Sequence, residues 1–259
     1  MKGQRIAFSH RFRECPGVRV LRALPNFDDY DEEEKRLIRE AEKVYYPTKF
    51  YVDLFITLGK KIFPSRESYV YSGDKIRQTA LFQLLGIPHP RTRIFFGHQK
   101  KAIPEEFPFP FIAKIPRGSS MGKGVYLVHN EEELNHYLRL SAVAYIQEYI
   151  PLVKDLRVIL IQHRIILAYW KIARTGEFRS NLAQGASVAF ENIPKAALEF
   201  AGRLTRLCNF DDVGLDLCHS PDKGWLVLEA NMNYGQQALV EKGLAIRQVL
   251  RELLEEGLI

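Results

Sequence analysis

Residues 111–128 of this 259-residue chain read FIAKIPRGSSMGKGVYLV, and this stretch decides the fold. Two short apolar runs, residues 111–115 and 125–128, flank a tip that is rich in glycine and serine, which predicts an antiparallel hairpin. Glycines allow backbone amides to turn toward an anion, so the tip could hold phosphates. It is not a P-loop, because Gly122-Lys123-Gly124 leads into a strand and not a helix. Taken alone, the tip fits a flexible surface hairpin better than a phosphate clamp.

Two lysines beside this hairpin are candidate phosphate ligands. Lys114 shares a strand face with Ile112, and a cation on a face that begins apolar requires an anion, although it could also reach solvent or a local carboxylate. Lys75 follows Asp74, which is a suitable N-cap for a helix that stops at Gly86. Lys75 could supply a second cation to the same site, or remain an exposed lysine at a helix start.

A second polar group lies on the last two predicted strands, residues 213–219 and 225–231. Glu229 and Asn231 share a face, and Asp216 lies nearly opposite Glu229 if the intervening turn is four residues long. Like charges paired across strands repel unless a cation lies between them. Oxygen ligands favour magnesium or manganese, which usually arrive with phosphate. The alternative is a set of solvated polar residues at strand ends.

Composition excludes several classes of protein. Apolar residues make up 46% and charged residues 26%, as in ordinary globular chains, so neither a disordered nor a fibrous protein is expected. Cys15, Cys208 and Cys218 lack the spacing of a disulfide framework or a zinc knuckle, and we expect buried thiols. No apolar run is long enough to span a membrane and the first residues carry charges, so a cytoplasmic location is expected. The net charge of +6 would suit an anionic partner without selecting one.

The order of predicted elements indicates a mixed α/β (α+β) enzyme and not a single parallel βαβ array. Strands are expected over residues 5–9, 93–96, 145–150, 155–162 and 164–173, in addition to those already described. Helices are expected after Asn130, from Pro194 to about Cys208, and at the leucine-periodic C-terminus. The pattern between Val44 and Ser72 predicts no clear structure.

Together and in this order, these segments resemble the ATP-grasp superfamily, in its branch of ribosomal-protein glutamate ligases and similar peptide ligases. The motifs run from Leu58 to the C-terminus as LGKKIFPS, DKIRQTALFQLLGIPHPRT, PFIAKIPRGSSMGKGV, IQEYIP, KDLRVIL, GEFRSNLAQGA and VGLDLCHSPDKGWLVLEANMNYG. The resemblance implies an ATP-grasp fold with a shortened N-terminal α/β segment, residues 1–73. A small subdomain with the glycine-rich flap would cover residues 74–143, and a large subdomain with the metal site residues 144–259.

The resemblance also assigns roles by position. Residues implied to bind ATP are Lys75, Lys114, Gly118, Ser119, Ser120, Gly122, Gly124, Gln147, Glu148, Tyr149, Ile150, Asp155, Arg179, Ser180 and Asn181. In this set Glu148 and Tyr149 fall on the hinge that binds adenine, and Asp155 falls where a carboxylate meets the ribose. Asp216, Glu229 and Asn231 match the ligands of magnesium or manganese. Substitution of Asp216 or Glu229 is then expected to weaken turnover far more than folding.

The implied reaction is the ATP- and magnesium-dependent joining of a carboxylate to an amine, through an acyl phosphate, with release of ADP and phosphate. Positioning of the substrates and neutralisation of the phosphate charge would supply most of the rate enhancement. Arg157 is the candidate for holding the substrate carboxylate, since a guanidinium suits bidentate anion contacts. Lys171 occupies a position where this branch usually has arginine, and Arg174 is the candidate that compensates. The N-terminal segment is shorter than the family's substrate domain, so the surface that binds the substrate is expected to be reduced.

Two other hypotheses remain. The same nucleotide fold could phosphorylate a hydroxyl, which would make the protein a small-molecule kinase. A basic nucleic-acid-binding module is the third, motivated by the early arginines, although the site motifs do not require a polyanion. The expected partners are a small-molecule or peptide carboxylate and an amine, with neither membrane nor nucleic acid, and a homodimer is allowed.

Overall fold

The computed structural model describes residues 4–118, 124–173 and 187–259. Within these residues the chain forms three β-sheets, of four, five and four strands, with helices packed on their faces. This architecture confirms the predicted mixed α/β class. No described helix has the length and apolar character needed to cross a membrane. Cys15, Cys208 and Cys218 are free and buried, as expected.

The first sheet is entirely parallel and lies near the N-terminus. Its strands are β1 (Arg5–Ala7), β2 (Val18–Val20), β3 (Lys43–Tyr45) and β4 (Lys61–Phe63), in the order β2-β1-β3-β4. Its helices are α1 (Glu32–Glu40), α2 (Val52–Thr57) and α3 (Arg66–Val70). A capping box starts α1, because Asp31 accepts from the Glu34 backbone N–H and Glu34 accepts from that of Asp31. The predicted first strand is shorter than expected, and the unassigned segment between Val44 and Ser72 contains much of this sheet.

The second sheet contains the glycine-rich hairpin of residues 111–128. Its strands are β5 (Thr92–Phe96), β6 (Phe111–Lys114), β7 (Val125–Val128) and β8 (Val143–Glu148), all antiparallel, in the order β5-β8-β6-β7. The helices of this part are α4 (Lys75–Leu84), α5 (Ile103–Glu106) and α6 (Glu131–Leu140). Asp74 caps α4 and Asn130 caps α6 through side-chain oxygens, as predicted. β8 pairs with β5 and β6, although it begins the segment assigned to the large subdomain.

The third sheet is the largest and runs through the second half of the chain. Its strands are β9 (Lys154–Ile161), β10 (Arg164–Ile172), β11 (Ser187–Ala189), β12 (Asp212–Ser220) and β13 (Gly224–Asn231), in the order β11-β10-β9-β12-β13. The helices are α7 (Lys195–Cys208), α8 (Gln237–Glu241) and α9 (Ile246–Glu255). One face packs on α7 through residues such as Leu156 and Leu215. The other face carries the polar residues described below.

The hydrophobic cores connect the sheets unequally. One buried cluster joins the parallel sheet, the opposite face of the large sheet and the C-terminal helices; among its members are Ala7, Tyr45, Ile159, Ile161 and Leu250. A different cluster fills the second sheet beneath α6 and contains residues of that sheet and its own helices only. The first and third sheets therefore share a core, whereas the second has its own.

Candidate active site

The candidate site lies where the second and third sheets face each other. Opposite partners in β6 and β8, Lys114 and Tyr145, share the sheet face that is turned away from α6, and Lys114 Nζ lies 5.8 Å from the centre of the Tyr145 ring. Lys75, at the start of α4, reaches across to β13, where its Nζ lies 3.2 Å from Glu229 Oε1. A narrow cleft of about 240 Å³, including its open mouth, lies between these elements. It is lined by Lys75, Gln78, Thr79, Phe82, His89, Tyr145, Gln147, Val227 and Leu228.

Lys114 is a buried cation held in a fixed backbone position. The Tyr137 hydroxyl donates to the Lys114 carbonyl over 2.7 Å and accepts from the Tyr145 backbone N–H over 3.0 Å. Burial lowers the pKa of Lys114 to about 8, Glu229 partly offsets this effect, and the nearby Lys75 adds to it. A bound anion would stabilise the charged form of this buried ammonium. The lysine pair and Glu229 therefore meet in one place.

Asp216 is the most heavily bonded carboxylate of the site. Its Oδ1 accepts from Arg157 Nε over 2.6 Å and from Lys171 Nζ over 2.8 Å. Its Oδ2 accepts from Arg157 Nη2 over 2.8 Å and from Asn231 Nδ2 over 3.1 Å. Burial alone would raise the pKa of Asp216, but Arg157 and Lys171 outweigh it and hold that pKa well below its usual range.

Lys171 lies between two carboxylates on neighbouring strands. Its Nζ is 3.1 Å from Asp155 Oδ1 and 2.8 Å from Asp216 Oδ1, and all three side chains are buried. Burial lowers the pKa of Lys171, but Asp216 and Asp155 outweigh it, so the pKa is raised overall. Asp155, which the sequence predicts to meet the ribose, is thus engaged by Lys171.

The strand register brings the predicted metal ligands together. Asp216 lies opposite Glu229, as predicted, but not because of the turn: Ser220 pairs with Gly224 across a shorter turn than expected, and a bulge between Asp216 and Leu217 restores the pairing. Two carboxylates and the Asn231 amide form an all-oxygen donor set, which suits a hard divalent ion. In the part of the chain that the structure describes, no cluster of three or more His, Cys, Asp or Glu side chains could hold a metal. The two carboxylates therefore fit magnesium only if the Asn231 amide and ligands from the substrate complete its coordination.

The predicted adenine hinge follows the end of β8. Glu148 Oε1 accepts from the Arg91 backbone N–H over 2.7 Å, and both carboxylate oxygens contact Lys223 Nζ, at 2.6 and 2.7 Å. Burial opposes ionisation of Glu148, but Lys223 outweighs it and lowers the pKa. Gln147 donates to the Thr92 hydroxyl over 2.9 Å. Tyr149 and Ile150 are half-buried and begin the connection to β9.

Several predicted residues lie at or beyond the limits of the described chain. Gly118 and Gly124 flank the tip with φ angles of 69° and 75°, conformations that favour glycine. The base of the tip is tied to α4, because Arg117 Nε donates to Asp74 Oδ2 over 2.9 Å. The predicted residues Ser119, Ser120, Gly122, Arg174, Arg179, Ser180 and Asn181 lie outside the described residues.

Sequence reasoning missed a buried cluster that joins the parallel sheet to the large sheet. Asp212, at the start of β12, accepts from the hydroxyls of Tyr46 over 2.5 Å and Tyr234 over 2.7 Å. Arg11 Nη1 lies 3.7 Å from the same carboxylate. Burial raises the pKa of Asp212, and the two tyrosines partly offset the rise. No local pattern signals the cluster, since Tyr46 and Asp212 are 166 positions apart.

Gly214 is a further positioning residue that the sequence did not single out. A Cβ at this position would lie 2.9 Å from the Tyr234 Cβ and 3.1 Å from Arg157 Nη1. Gly214→Ala is therefore expected to displace both side chains, to destabilise the fold by about 1–3 kcal/mol and to lower turnover. Urea denaturation and steady-state kinetics measure the two effects.

Gly235→Ala is the matched control, because a Cβ at Gly235 meets nothing within 4 Å. It is expected to behave like the unaltered protein. Equal stability and activity in the Gly214 and Gly235 variants would contradict the role of Gly214.

Fold and site together define the class. A sheet with a glycine-rich hairpin and a buried lysine lies beside a sheet that carries paired carboxylates, and a cleft lies between them, as in ATP-grasp proteins. The ATP-grasp ligase PsnB, solved with a minimal precursor, Mg and ADP, superposes with a TM-score of 0.71 at 15% identity, over 98% of this chain and 97% of that chain. A family model described as the RimK-like ATP-grasp domain matches residues 72–253. The chain belongs to this family, which confirms the predicted fold and family.

Two curated relatives carry ligase or synthase names. A probable alpha-L-glutamate ligase of Parasynechococcus marenigrum (strain WH8102) is 29% identical over 213 residues, covering 77% of this chain and 45% of the relative. Beta-citrylglutamate synthase B of Danio rerio is 30% identical over 159 residues, covering 58% of this chain and 39% of the relative. This chain therefore matches less than half the length of either relative. Their names agree with the predicted class of enzyme.

Proposed function

We propose that the protein is an ATP- and magnesium-dependent carboxylate-amine ligase that releases ADP and phosphate. The observation that carries the proposal is the contact of Lys75 with Glu229, close enough to Lys114 and Asp216 for all four charges to interact. Cations arranged beside oxygen donors suit a triphosphate that carries its own divalent ion. Family membership supports the same reading, since the named relatives are a ligase and a synthase.

Each charged group has a distinct task in this proposal. Lys75 and Lys114 bind and neutralise the phosphates, and the burial of Lys114 keeps water from screening its charge. Arg157 contacts Asp216 through Nε and Nη2, and we assign the holding of a substrate carboxylate to its guanidinium as well. Magnesium at Asp216, Glu229 and Asn231 would supply charge neutralisation as the phosphoryl group is transferred.

The backbone around the hinge would bind the adenine. The Glu148 side chain is already bonded to Lys223 and Arg91, so we assign this contact to the backbone of Tyr149 and Ile150. Gln147 lines the cleft from the neighbouring strand position. The flap between Gly118 and Gly124 would cover the phosphates, as the family resemblance implies.

We propose an acidic amino acid or a peptide as the class of substrate. The names of the two curated relatives contain glutamate and citrylglutamate, and PsnB was solved with a precursor. The carboxyl ends of the parallel strands β1 and β3 lie beside the site through Arg11 and Tyr46, and such strand ends commonly bind ligands. A cytoplasmic location remains part of the proposal.

The test is a product assay with purified protein, ATP, magnesium and separate pools of carboxylates and amines. ADP and phosphate are expected only when both a carboxylate and an amine are present, together with an amide product in mass spectrometry. Release of AMP would contradict the acyl-phosphate route. A phosphorylated product without an amide would instead identify a kinase. The Lys154→Gln variant is the control for the loss of a surface charge.

A further inference from the structure

Asp216 has no acceptor site left for a metal ion. A carboxylate offers about four lone-pair sites, and those of Asp216 receive two donors from Arg157, one from Lys171 and one from Asn231. A divalent ion must approach a carboxylate oxygen to about 2.0–2.1 Å, which a donor on the same lone pair prevents. One of these donors must therefore move before Asp216 can coordinate a metal.

Arg157 is poorly suited to move. Its guanidinium contacts Asp216 through two parallel hydrogen bonds, and such bidentate pairs are rigid. Its third nitrogen, Nη1, is confined beside Gly214 and Tyr234, where even an added Cβ would be too close. Release of Arg157 would break two bonds at once and leave a buried cation.

Asn231 is itself one of the proposed metal ligands, so of the two charged donor residues Lys171 is the one suited to move. Its ammonium makes a single contact with Asp216, and Asp155 offers a second carboxylate at 3.1 Å. The aliphatic stem is flexible and the ammonium is a point charge, so a small rotation exchanges one carboxylate for the other. The neighbouring Glu229 is more accessible, with 27% of its side chain exposed against 11% for Asp216. A metal can therefore meet Glu229 first.

We propose that Lys171 competes with the divalent ion for Asp216 and thereby keeps the affinity for free metal low. The ammonium withdraws to Asp155 when the metal arrives together with an anion that compensates the gathered positive charge. This inference rests on the proposed function, because it assumes that Asp216 and Glu229 hold the metal. Its consequence is specific to lysine at this position, since a planar guanidinium could not exchange partners so readily.

Binding of Mn²⁺ alone, measured by the loss of the free-ion EPR signal, tests the proposal without any turnover. Lys171→Gln removes the charge but retains a hydrogen-bond donor, and it is expected to bind Mn²⁺ at least about tenfold more tightly than the unaltered protein. Lys171→Arg retains the charge and is expected to bind no more tightly. The control is Lys154→Gln, which removes a cation that lies over the Trp170 ring, one ladder position away.

A parallel titration with a non-hydrolysable ATP analogue tests the role of Lys171 and the metal site separately. Suppose that Mn²⁺ binds in the presence of the analogue and that this binding depends on Glu229. If all variants then bind Mn²⁺ equally weakly in the absence of the analogue, the role of Lys171 is overturned while the proposed function stands. If Mn²⁺ fails to bind even with the analogue, the metal site itself is wrong and the inference is overturned with it. Tighter binding in Lys171→Arg than in Lys171→Gln would also overturn it. Should Lys171→Gln not fold, Lys171→Met serves as the neutral variant with the same expected tightening.

Discussion

Replacing Lys114 with Met is expected to lower the affinity for ATP by at least about 100-fold and, at the same time, to stabilise the fold. The two effects have one cause. Burial lowers the pKa of Lys114 to about 8 from the 10.5 of an exposed lysine. The charged lysine therefore destabilises the folded protein, and a bound anion offsets this effect. Removing the charge removes this destabilisation, which we expect to raise the free energy of unfolding by about 1–3 kcal/mol.

The same pKa shift fixes the direction of the pH dependence. Between about pH 8 and pH 10.5 the unfolded chain holds more protons at this lysine than the folded chain, so its destabilising contribution decreases as pH rises through that window. Nucleotide binding favours the charged form and is therefore expected to take up protons near pH 8.5. Affinity should fall as pH rises above about 8.

Calorimetry in two buffers of different ionisation enthalpy measures the proton uptake, and urea denaturation measures stability. Lys114→Met is expected to bind without the uptake and to unfold at higher urea. A variant that is less stable, or that binds ATP normally, would contradict the role assigned to this lysine. Lys154→Met is the control, since Lys154 is exposed and lies outside the cleft.

Glu229→Gln is expected to reduce turnover by at least about 100-fold while changing the free energy of unfolding by less than about 1 kcal/mol. Glu229 is partly exposed and pairs with the buried Lys75 at 3.2 Å; because a glutamine still accepts a hydrogen bond from Lys75, we expect the loss of this charge to affect folding little. Asp216→Asn should also abolish turnover, but it leaves Arg157 and Lys171 buried with less compensating charge. We expect that variant to lose about 3 kcal/mol or more of stability.

Paired denaturation and activity measurements distinguish these two carboxylates. Glu256→Gln, which alters an exposed ion pair with Arg164, is a control that should affect neither property. If Glu229→Gln retains full magnesium-dependent activity, the metal assignment is wrong. If Asp216→Asn is as stable as Glu229→Gln, the four contacts of Asp216 do not contribute to folding as described.

The sequence expectation for Asp216 is the one that the structure changes most. From the strand pattern, both carboxylates are expected to serve turnover far more than folding. The pairing of β12 with β13 could be predicted because a short turn joins them, but the bulge that places Asp216 opposite Glu229 could not. The donors to Asp216 could not, because Arg157 and Lys171 come from β9 and β10, and side-chain pairing across such distances leaves no local pattern.

Local signals explain which parts of the fold were predictable. The Asp74 and Asn130 caps and the hairpin of β6 and β7 depend on neighbours in the chain, and each forms where expected. The parallel sheet has strands of only three residues, too short to show a period, and they are held by packing between distant segments. The ion pair of Glu148 with Lys223 was missed because it joins the end of β8 to the turn between β12 and β13, two places that are distant in the sequence.

The core shared by the parallel sheet and the large sheet has a mechanical consequence. Ala7 and Tyr45 are packed in one cluster with Ile159 and Ile161, so separating these two sheets would expose that cluster to water. The β5-β8-β6-β7 sheet keeps its own core, whereas Phe82 of α4 packs into the core of the large sheet. Displacement of the β5-β8-β6-β7 sheet alone would leave the core shared by the other two sheets intact, and with it the strands that carry the carboxylates.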